Sequence, residues 1–452
     1  MNQQTKFKLD KGTSLGTLAS KEYKENNKLR IEDRTAHNWY RFVLSFPPHL
    51  VRDYIGRFGV ESGETILDPF CGTGTTLIEC KKLGIHSIGI EINPMACFAS
   101  RVKTTWNVDT DGLLNHANHI AQVALERLVR DGVEDQDLPL FFSGRKIPIK
   151  LRNLPAETYK LILKDSISPL PLHKCLVLLE ILSEHGDNDF ADHERLALAK
   201  TIVFGASNLH FGPEVGVGRL KQDAPVIQIW LNNVRAIAED LRVLYGTSNS
   251  DLLVYQADSR EISKLLKSRC IDSVITSPPY PNEKDYTRTT RLESVLLGFV
   301  KDKNDLRAIK QGLVRSNTRS VYKHDTDDLI VANHAEIQRL ADTIESRRIK
   351  LGKTSGFERQ YARVTKLYFG GMARHLAEMR TVLRTGAQLA YVVGDQASYL
   401  QVMIRTGQIL ADIALSLGFE VVGIDLFRTR LATATKKQLR EEVVLLKWPG
   451  KQ

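Results

Sequence analysis

The sequence predicts a doubly wound α/β fold: a seven-stranded, mostly parallel sheet with a reversed last strand and two largely helical insertions. Three observations carry this. Residues 65–79 read as strand, tight glycine turn and helix, and a second strand at 87–93 follows, ending in an acid. That is a βαβ unit, which must be parallel and right-handed. A second apolar run, 271–275, stops at Thr276-Ser277-Pro278-Pro279-Tyr280. Finally, the apolar runs at 419–424 and 441–446 have no helix between them, so they should pair antiparallel at or near the sheet's end.

Composition sets the class. The chain has 452 residues, 42% hydrophobic and 26% charged, which is ordinary for a globular protein. A net charge of +10 fits a polyanionic partner without demanding one, since basicity also serves solubility. Cys71, Cys80, Cys97, Cys175 and Cys270 form no C-x-x-C pair and have no histidine at ligand spacing. That argues against a zinc site or any other metal, and against a disulfide framework, and it fits a reducing cytosol. The first residues lack an apolar core and no run approaches spanning length, so no signal peptide or membrane segment is expected and the protein reads as cytoplasmic.

Taken in order, residues 1–34 are polar and lysine-rich and read as a flexible basic arm. Residues 35–104 form the first part of the core: an aromatic cluster from His37 to Phe42, then Phe46-Pro47-Pro48 starting a helix with Leu50, Tyr54, Ile55 and Phe58 on one face. Residues 105–245 are a mainly helical insertion, with helices expected over 113–129 and 173–185 and a glycine-bearing loop at 211–221 read as a connection or a phosphate contact. The core resumes at 246–299, with the sheet taken up again over 252–260 and then by the strand running into Ser277. A basic insertion spans 300–368, and the core ends in 369–452 with strands at 387–395, 419–424 and 441–446.

Two stretches carry chemistry. In Asp68-Pro69-Phe70-Cys71-Gly72-Thr73-Gly74-Thr75 the glycines permit a tight turn, and the N–H groups opening the next helix make an anion site. Glu91, at the end of the following strand, is placed for ribose hydroxyls. The unit should therefore hold a ligand with a ribose and an anionic end. A third glycine and a P-loop lysine are both absent, so the glycine pair gains its weight from the Asp-Pro-Phe lead and Glu91. The second stretch ends a strand in two prolines that cannot donate to a ladder, presenting a hydroxyl, stiff carbonyls and an aromatic face. Alone it would read as a strand-to-turn connection whose tyrosine fills core.

Together these motifs resemble the S-adenosylmethionine-dependent amino-methyltransferases of DNA, over roughly residues 35–104, 250–300 and 370–450. The resemblance implies that Phe46, Pro47, Asp68, Phe70, Gly72, Thr73, Gly74, Thr75, Glu91 and Asp258 bind S-adenosylmethionine, with Glu91 on the ribose and Asp258 near the adenine, unless Asp258 merely caps a helix. Ser277, Pro278, Pro279 and Tyr280 become the catalytic loop, accepting hydrogen bonds from an exocyclic amino group and stacking on a flipped base. The absence of any Pro-Cys pair weighs against carbon-5 methylation of cytosine.

Within that family a leading serine is commoner in cytosine-N4 enzymes, so cytosine N4 is the first expectation and adenine N6 the second. Double-stranded DNA is the expected partner, with sequence reading assigned to an insertion, first the 105–245 block. Eleven of the twelve arginines and lysines from Arg307 to Arg363, all but Arg339, are candidates for phosphate contact, or else solvated helix faces. The loop from Arg428 to Arg440 is a second basic candidate. A cognate restriction endonuclease would sit on another chain. Rival readings are an RNA or protein-glutamine methyltransferase, which usually leads the loop with asparagine or aspartate, and a non-catalytic DNA-binding subunit.

Overall fold

The computed structural model describes residues 29–450 except 43–44, 136–149, 213, 249 and 432–437. Most of the basic arm expected at 1–34, and the middle of the 428–440 loop, thus lie outside the described residues. Proline at the first turn and Gly59 in the left-handed region bound the first helix, α1 (Pro48–Phe58), which buries Leu50, Val51, Tyr54 and Ile55. The glycine motif links β1 (Thr65–Asp68) to α2 (Thr75–Lys82), and β2 (His86–Ile90) runs into α3 (Pro94–Lys103). Asn93 caps α3 by accepting from the N–H groups of Met95 and Ala96.

The first insertion contains α4 (Thr110–Arg130), α5 (Pro169–Glu184), α6 (Ala191–Lys200) and α7 (Val226–Leu244). Its apolar faces share one core with Trp39, Met95 and Phe98, so the block is fused to the sheet's helical layer. Where a plain connection was expected near 211–221, a small antiparallel hairpin pairs Leu209–Phe211 with Val215–Val217. A three-residue alternation is too short to separate from a loop by pattern.

The remaining strands are β3 (Leu252–Tyr255), β4 (Ile271–Thr276), β5 (Leu383–Gly394), β6 (Glu420–Leu431) and β7 (Gln438–Lys447). The second insertion holds α8 (Lys303–Gly312) and α9 (Ala335–Lys350), and α10 (Tyr361–Val382) then leads into β5. Helix α10 begins before residue 369, so it bridges the expected junction. Val314, Val331, Ile337, Leu340 and Ile344 of this insertion pack into the core that covers one sheet face. A last helix, α11 (Thr406–Ser416), precedes β6.

The seven strands run β3-β2-β1-β4-β5-β7-β6. Five pair in parallel, and β7 is antiparallel to both neighbours, as expected for the reversed last strand. It sits one place in from the edge, which β6 forms. The order turns back between β1 and β4, and in doubly wound sheets the crevice at that switch point is where ligands bind. Both chemistry-bearing motifs leave the sheet there. Among the described residues no helix is long and apolar enough to cross a membrane.

Candidate active site

The site is built on the adjacent ends of β1 and β4. Asp68, the last residue of β1, is fully buried; its Oδ1 accepts from the Thr276 hydroxyl at 2.6 Å and from the Phe70 N–H at 3.1 Å. Its Oδ2 has no partner among the described residues. Burial, opposed by these hydrogen bonds, raises its pKa to about 6.

Asp68 thereby ties the glycine turn to the loop that follows β4. The turn itself closes through the Gly74 N–H donating to Cys71 O at 2.8 Å, with φ of 52° at Gly72 and 84° at Gly74. Only glycine takes these angles cheaply, and a Cβ on Gly74 would lie 2.6 Å from the Ser100 hydroxyl of α3.

Glu91 follows β2 and faces this turn. Its Oε2 accepts from the Gly72 N–H at 2.9 Å and its Oε1 from the Asn93 N–H at 2.8 Å. Burial lifts its pKa to about 7 against those two bonds. Each carboxylate oxygen keeps a further acceptor site, which a vicinal diol can fill. Phe70 packs its ring 4.9 Å from His375 of α10. That histidine is held between Ser259 O at 2.9 Å and the Tyr391 hydroxyl at 2.8 Å, and burial lowers its pKa to about 4, so it is neutral.

One cavity of about 760 Å³ runs from this turn to the loop after β4. Phe46, Phe70, Gly72, Thr73, Thr75 and Glu91 line one end, and Ser277, Pro278, Pro279 and Tyr280 line the other. Asp68 and Gly74 lie beneath that surface rather than on it, and Pro47 precedes α1 as its N-cap. Asp258 is not in the lining: its carboxylate is clasped by Arg260 at 2.6 Å, and Ala257 and Ser259 form the wall there.

On the loop, the Ser277 hydroxyl donates to Val392 O of β5 at 3.1 Å, leaving its lone pairs as acceptors. The Tyr280 N–H donates to the Tyr286 hydroxyl at 3.1 Å, and the ring lies against Gly394, where a Cβ would come within 3.0 Å. Glycine at the end of β5 is thus what gives the tyrosine room.

Several residues here escape sequence reasoning. Tyr40 lines the cavity and donates to buried Glu293 at 2.5 Å; burial raises Glu293 to about 7. Buried Lys103 supports the turn by donating to Thr73 O at 2.8 Å. Phe204 of the first insertion also reaches the rim, and so do residues of two stretches the sequence did single out: Phe211 and Glu214 of the 211–221 loop, and Arg428 and Arg430 of the second basic candidate, which belong to β6. Of the expected basic contacts, Arg315 is buried in an ion pair with Asp325 at 2.7 Å, and Lys310 is paired with Asp285 at 2.8 Å. Arg348 and Arg363 also face acids, whereas Arg307, Lys323, Arg347 and Lys350 are exposed.

Comparison with known proteins agrees with this geometry. Residues 7–101 match the family described as DNA methylase. The chain is 26% identical over 446 residues to the Type II methyltransferase M.BsoBI of Geobacillus stearothermophilus, covering 90% of this chain and 83% of that one. It is 24% identical over 452 residues to M.AvaI of a Nostoc species, covering 92% and 87%. A shorter match to M.MjaII of Methanocaldococcus jannaschii is 38% identical over 98 residues, 22% of this chain and 16% of that one. Both motifs lie at the switch point of a seven-stranded sheet, and these likenesses support the DNA amino-methyltransferase family.

Proposed function

We propose that this protein methylates the exocyclic amino group of a base flipped out of duplex DNA, cytosine N4 in preference to adenine N6, using S-adenosylmethionine. The observation that carries the reading is the single cavity whose two ends are the Gly72–Glu91 side and the Ser277–Tyr280 loop. A methyl donor and an amino acceptor must meet end to end in one enclosed space, and this cavity has room for both.

The residues present fit the cofactor. Glu91 offers acceptors to a ribose diol, Phe70 offers a ring to an adenine face, and the buried Thr73 hydroxyl has no partner among the described residues. When bound, that cofactor supplies an electrophilic methyl group on a sulfonium. The chain's own task is to aim the acceptor. An exocyclic amino nitrogen is a poor nucleophile because its lone pair is delocalised into the ring. Hydrogen bonds accepted from its N–H groups favour a tetrahedral nitrogen with the lone pair directed at the methyl. The Ser277 hydroxyl, its proton committed to Val392 O, is such an acceptor, and the Pro278 carbonyl is a second one fixed in direction by the proline pair. Tyr280 provides a face on which the flipped base stacks.

Cytosine is put first because a serine leads the loop; the amino group it meets is common to both bases. The relatives named Type II methyltransferases support a place in restriction-modification, with a cognate endonuclease on a separate chain. DNA approaches the rim where Phe204, Phe211 and Arg430 lie, and the first insertion is the proposed reader of sequence. The test is to express the protein in a methylation-free host and analyse genomic DNA by nucleoside mass spectrometry and modification-sensitive sequencing. N4-methylcytosine in one short motif is expected, N6-methyladenine would move the reading to its alternative, and DNA without any new modification would overturn it.

A further inference from the structure

At the mouth of the cavity one carboxylate reaches across from the first insertion to the second. Glu214 sits in the turn of the small hairpin that pairs Leu209–Phe211 with Val215–Val217. It lines the cavity with Phe204 and Phe211, whose rings lie 6.0 Å apart. The hairpin is rooted in its own insertion: the Asn208 N–H donates to Ser166 O and the Gly218 N–H to Asn208 O, each at 2.7 Å. Glu214 faces the opposite wall. Its Oε2 lies 3.7 Å from Arg288, on the short helix Tyr286–Thr289 that follows the Ser277–Tyr280 loop. It lies 4.0 Å from Arg319 of the 300–368 insertion.

These pairs are loose. Both distances are longer than a hydrogen bond, and the Glu214 side chain is 53% exposed. Water screens an ion pair of that kind, so it is worth little. Nor does it satisfy the arginines. The Arg288 Nε is enclosed and has no acceptor among the described residues. Among those residues no other carboxylate lies within ion-pair distance of Arg288 or Arg319. Arg319 rests over the Phe357 ring at 5.8 Å, and neighbouring Glu283 is committed to Thr318, whose N–H it accepts at 3.0 Å.

Neither arginine lines the cavity; they flank its entrance beside Glu214, which does. A flipped base enters such a cavity while its phosphates stay outside, so an anion belongs at this position. A phosphodiester brings a full charge and two free oxygens, enough to meet both guanidinium groups and the unmet Nε donor. We propose that Arg288 and Arg319 form a phosphodiester site for the strand carrying the target base, and that Glu214 occupies it as a surrogate anion in the free protein. This rests on the DNA reading above. The incoming strand displaces Glu214, so the hairpin's carboxylate competes with every duplex for the entrance. The phosphate that replaces it fixes the backbone beside the Ser277–Tyr280 loop.

The experiment is fluorescence anisotropy of a labelled random-sequence duplex with the full chain, over a series of salt concentrations. Wild type is set against E214Q, the pair R288Q with R319Q, and all three changes together; S-adenosylhomocysteine affinity, within about twofold in every variant, reports an intact fold. The arginine pair should weaken DNA binding and lower the slope of log affinity against log salt by about two. E214Q should tighten DNA binding about three- to tenfold, and that gain should vanish when both arginines are absent. E214Q binding no tighter than wild type would overturn the proposal. So would a gain that persists without the arginines, which would make it a general effect of charge, or an arginine pair with the wild-type salt slope. A wild-type protein that binds S-adenosylhomocysteine but no duplex would remove the DNA reading itself, an outcome distinct from the others.

Discussion

Thr276 and Asp68 join the two motifs: the threonine hydroxyl at the end of β4 donates to the buried carboxylate at the end of β1, 2.6 Å away. Asp68 has a folded pKa of about 6 against an ordinary value of 3.8, raised by burial and pulled back by this bond. A carboxyl raised in this way favours the folded state fully below pH 3.8 and loses that contribution as pH rises through 6. Thr276→Val removes a bond to the ionised form, so its penalty should grow with pH. Urea unfolding should show a loss of about 1–3 kcal/mol, larger at pH 7.5 than at pH 5.

Glu91 titrates near neutrality, at about 7, because enclosure outweighs its two backbone hydrogen bonds. On the proposed cofactor reading a ribose diol donates to the carboxylate, so nucleoside binding should strengthen as Glu91 ionises. Affinity for 5′-methylthioadenosine should rise about tenfold between pH 6 and pH 8, following the ionised fraction. In Glu91→Gln binding should be weaker and flat across that range. A wild-type titration independent of pH would remove Glu91 from the ribose.

Ser277→Ala deletes the proposed acceptor of the amino group's hydrogen bond and also the donor to Val392 O. Single-turnover methylation should slow by about 100-fold, while S-adenosylhomocysteine affinity stays within about twofold. A parallel loss of binding would mean the hydroxyl shapes the fold rather than the acceptor.

Gly74→Ala places a Cβ at a φ of 84° and 2.6 Å from the Ser100 hydroxyl. Two costs are involved, and they can be separated. Gly74→Ala should destabilise the protein by about 2–4 kcal/mol. Adding Ser100→Ala should recover only the clash with the hydroxyl, leaving the backbone strain and the 3.3 Å approach to the Ser100 Cα, as measured by thermal unfolding of the single and double variants.

Arg315 is buried against Asp325, so within the basic insertion it belongs to the framework. Arg315→Met should cost about 3–5 kcal/mol by leaving Asp325 without its cation. The combined Lys323→Ser and Lys350→Ser change, at exposed positions, should leave stability within about 0.5 kcal/mol. If these lysines meet phosphate, that change lowers the salt dependence of DNA binding; a slope unaltered from wild type would show that they do not.

Much of this was legible in the residues. The glycine turn, Glu91 and the Pro278-Pro279 loop each mark a strand end by local chemistry, so their juxtaposition at the switch point follows once the strand order is known. His375 was not legible: it lies mid-helix after a long insertion, and only tertiary packing brings it beneath Phe70. Lys103 carries no motif, and its burial against the glycine turn is visible only in the fold. Among the basic residues at 307–363, sequence could not separate Arg315 from Lys323, because pairing across ten residues of irregular chain leaves no periodic trace.

The place of β7 has a consequence for assembly. Residues 438–447 are among the last strand-forming segments to be made, yet they separate β5 from β6 and bond to both. Until they arrive, β6 has no hydrogen-bonding neighbour and β5 shows an open edge on one side. The glycine turn and Glu91 can take shape early, from contacts within residues 65–103. The acceptor side cannot, since Phe427, Arg428 and Glu441 of this last hairpin form part of its wall. The glycine-turn end of the cavity can therefore form before the Ser277–Tyr280 end, whose wall is incomplete until the final hairpin has docked.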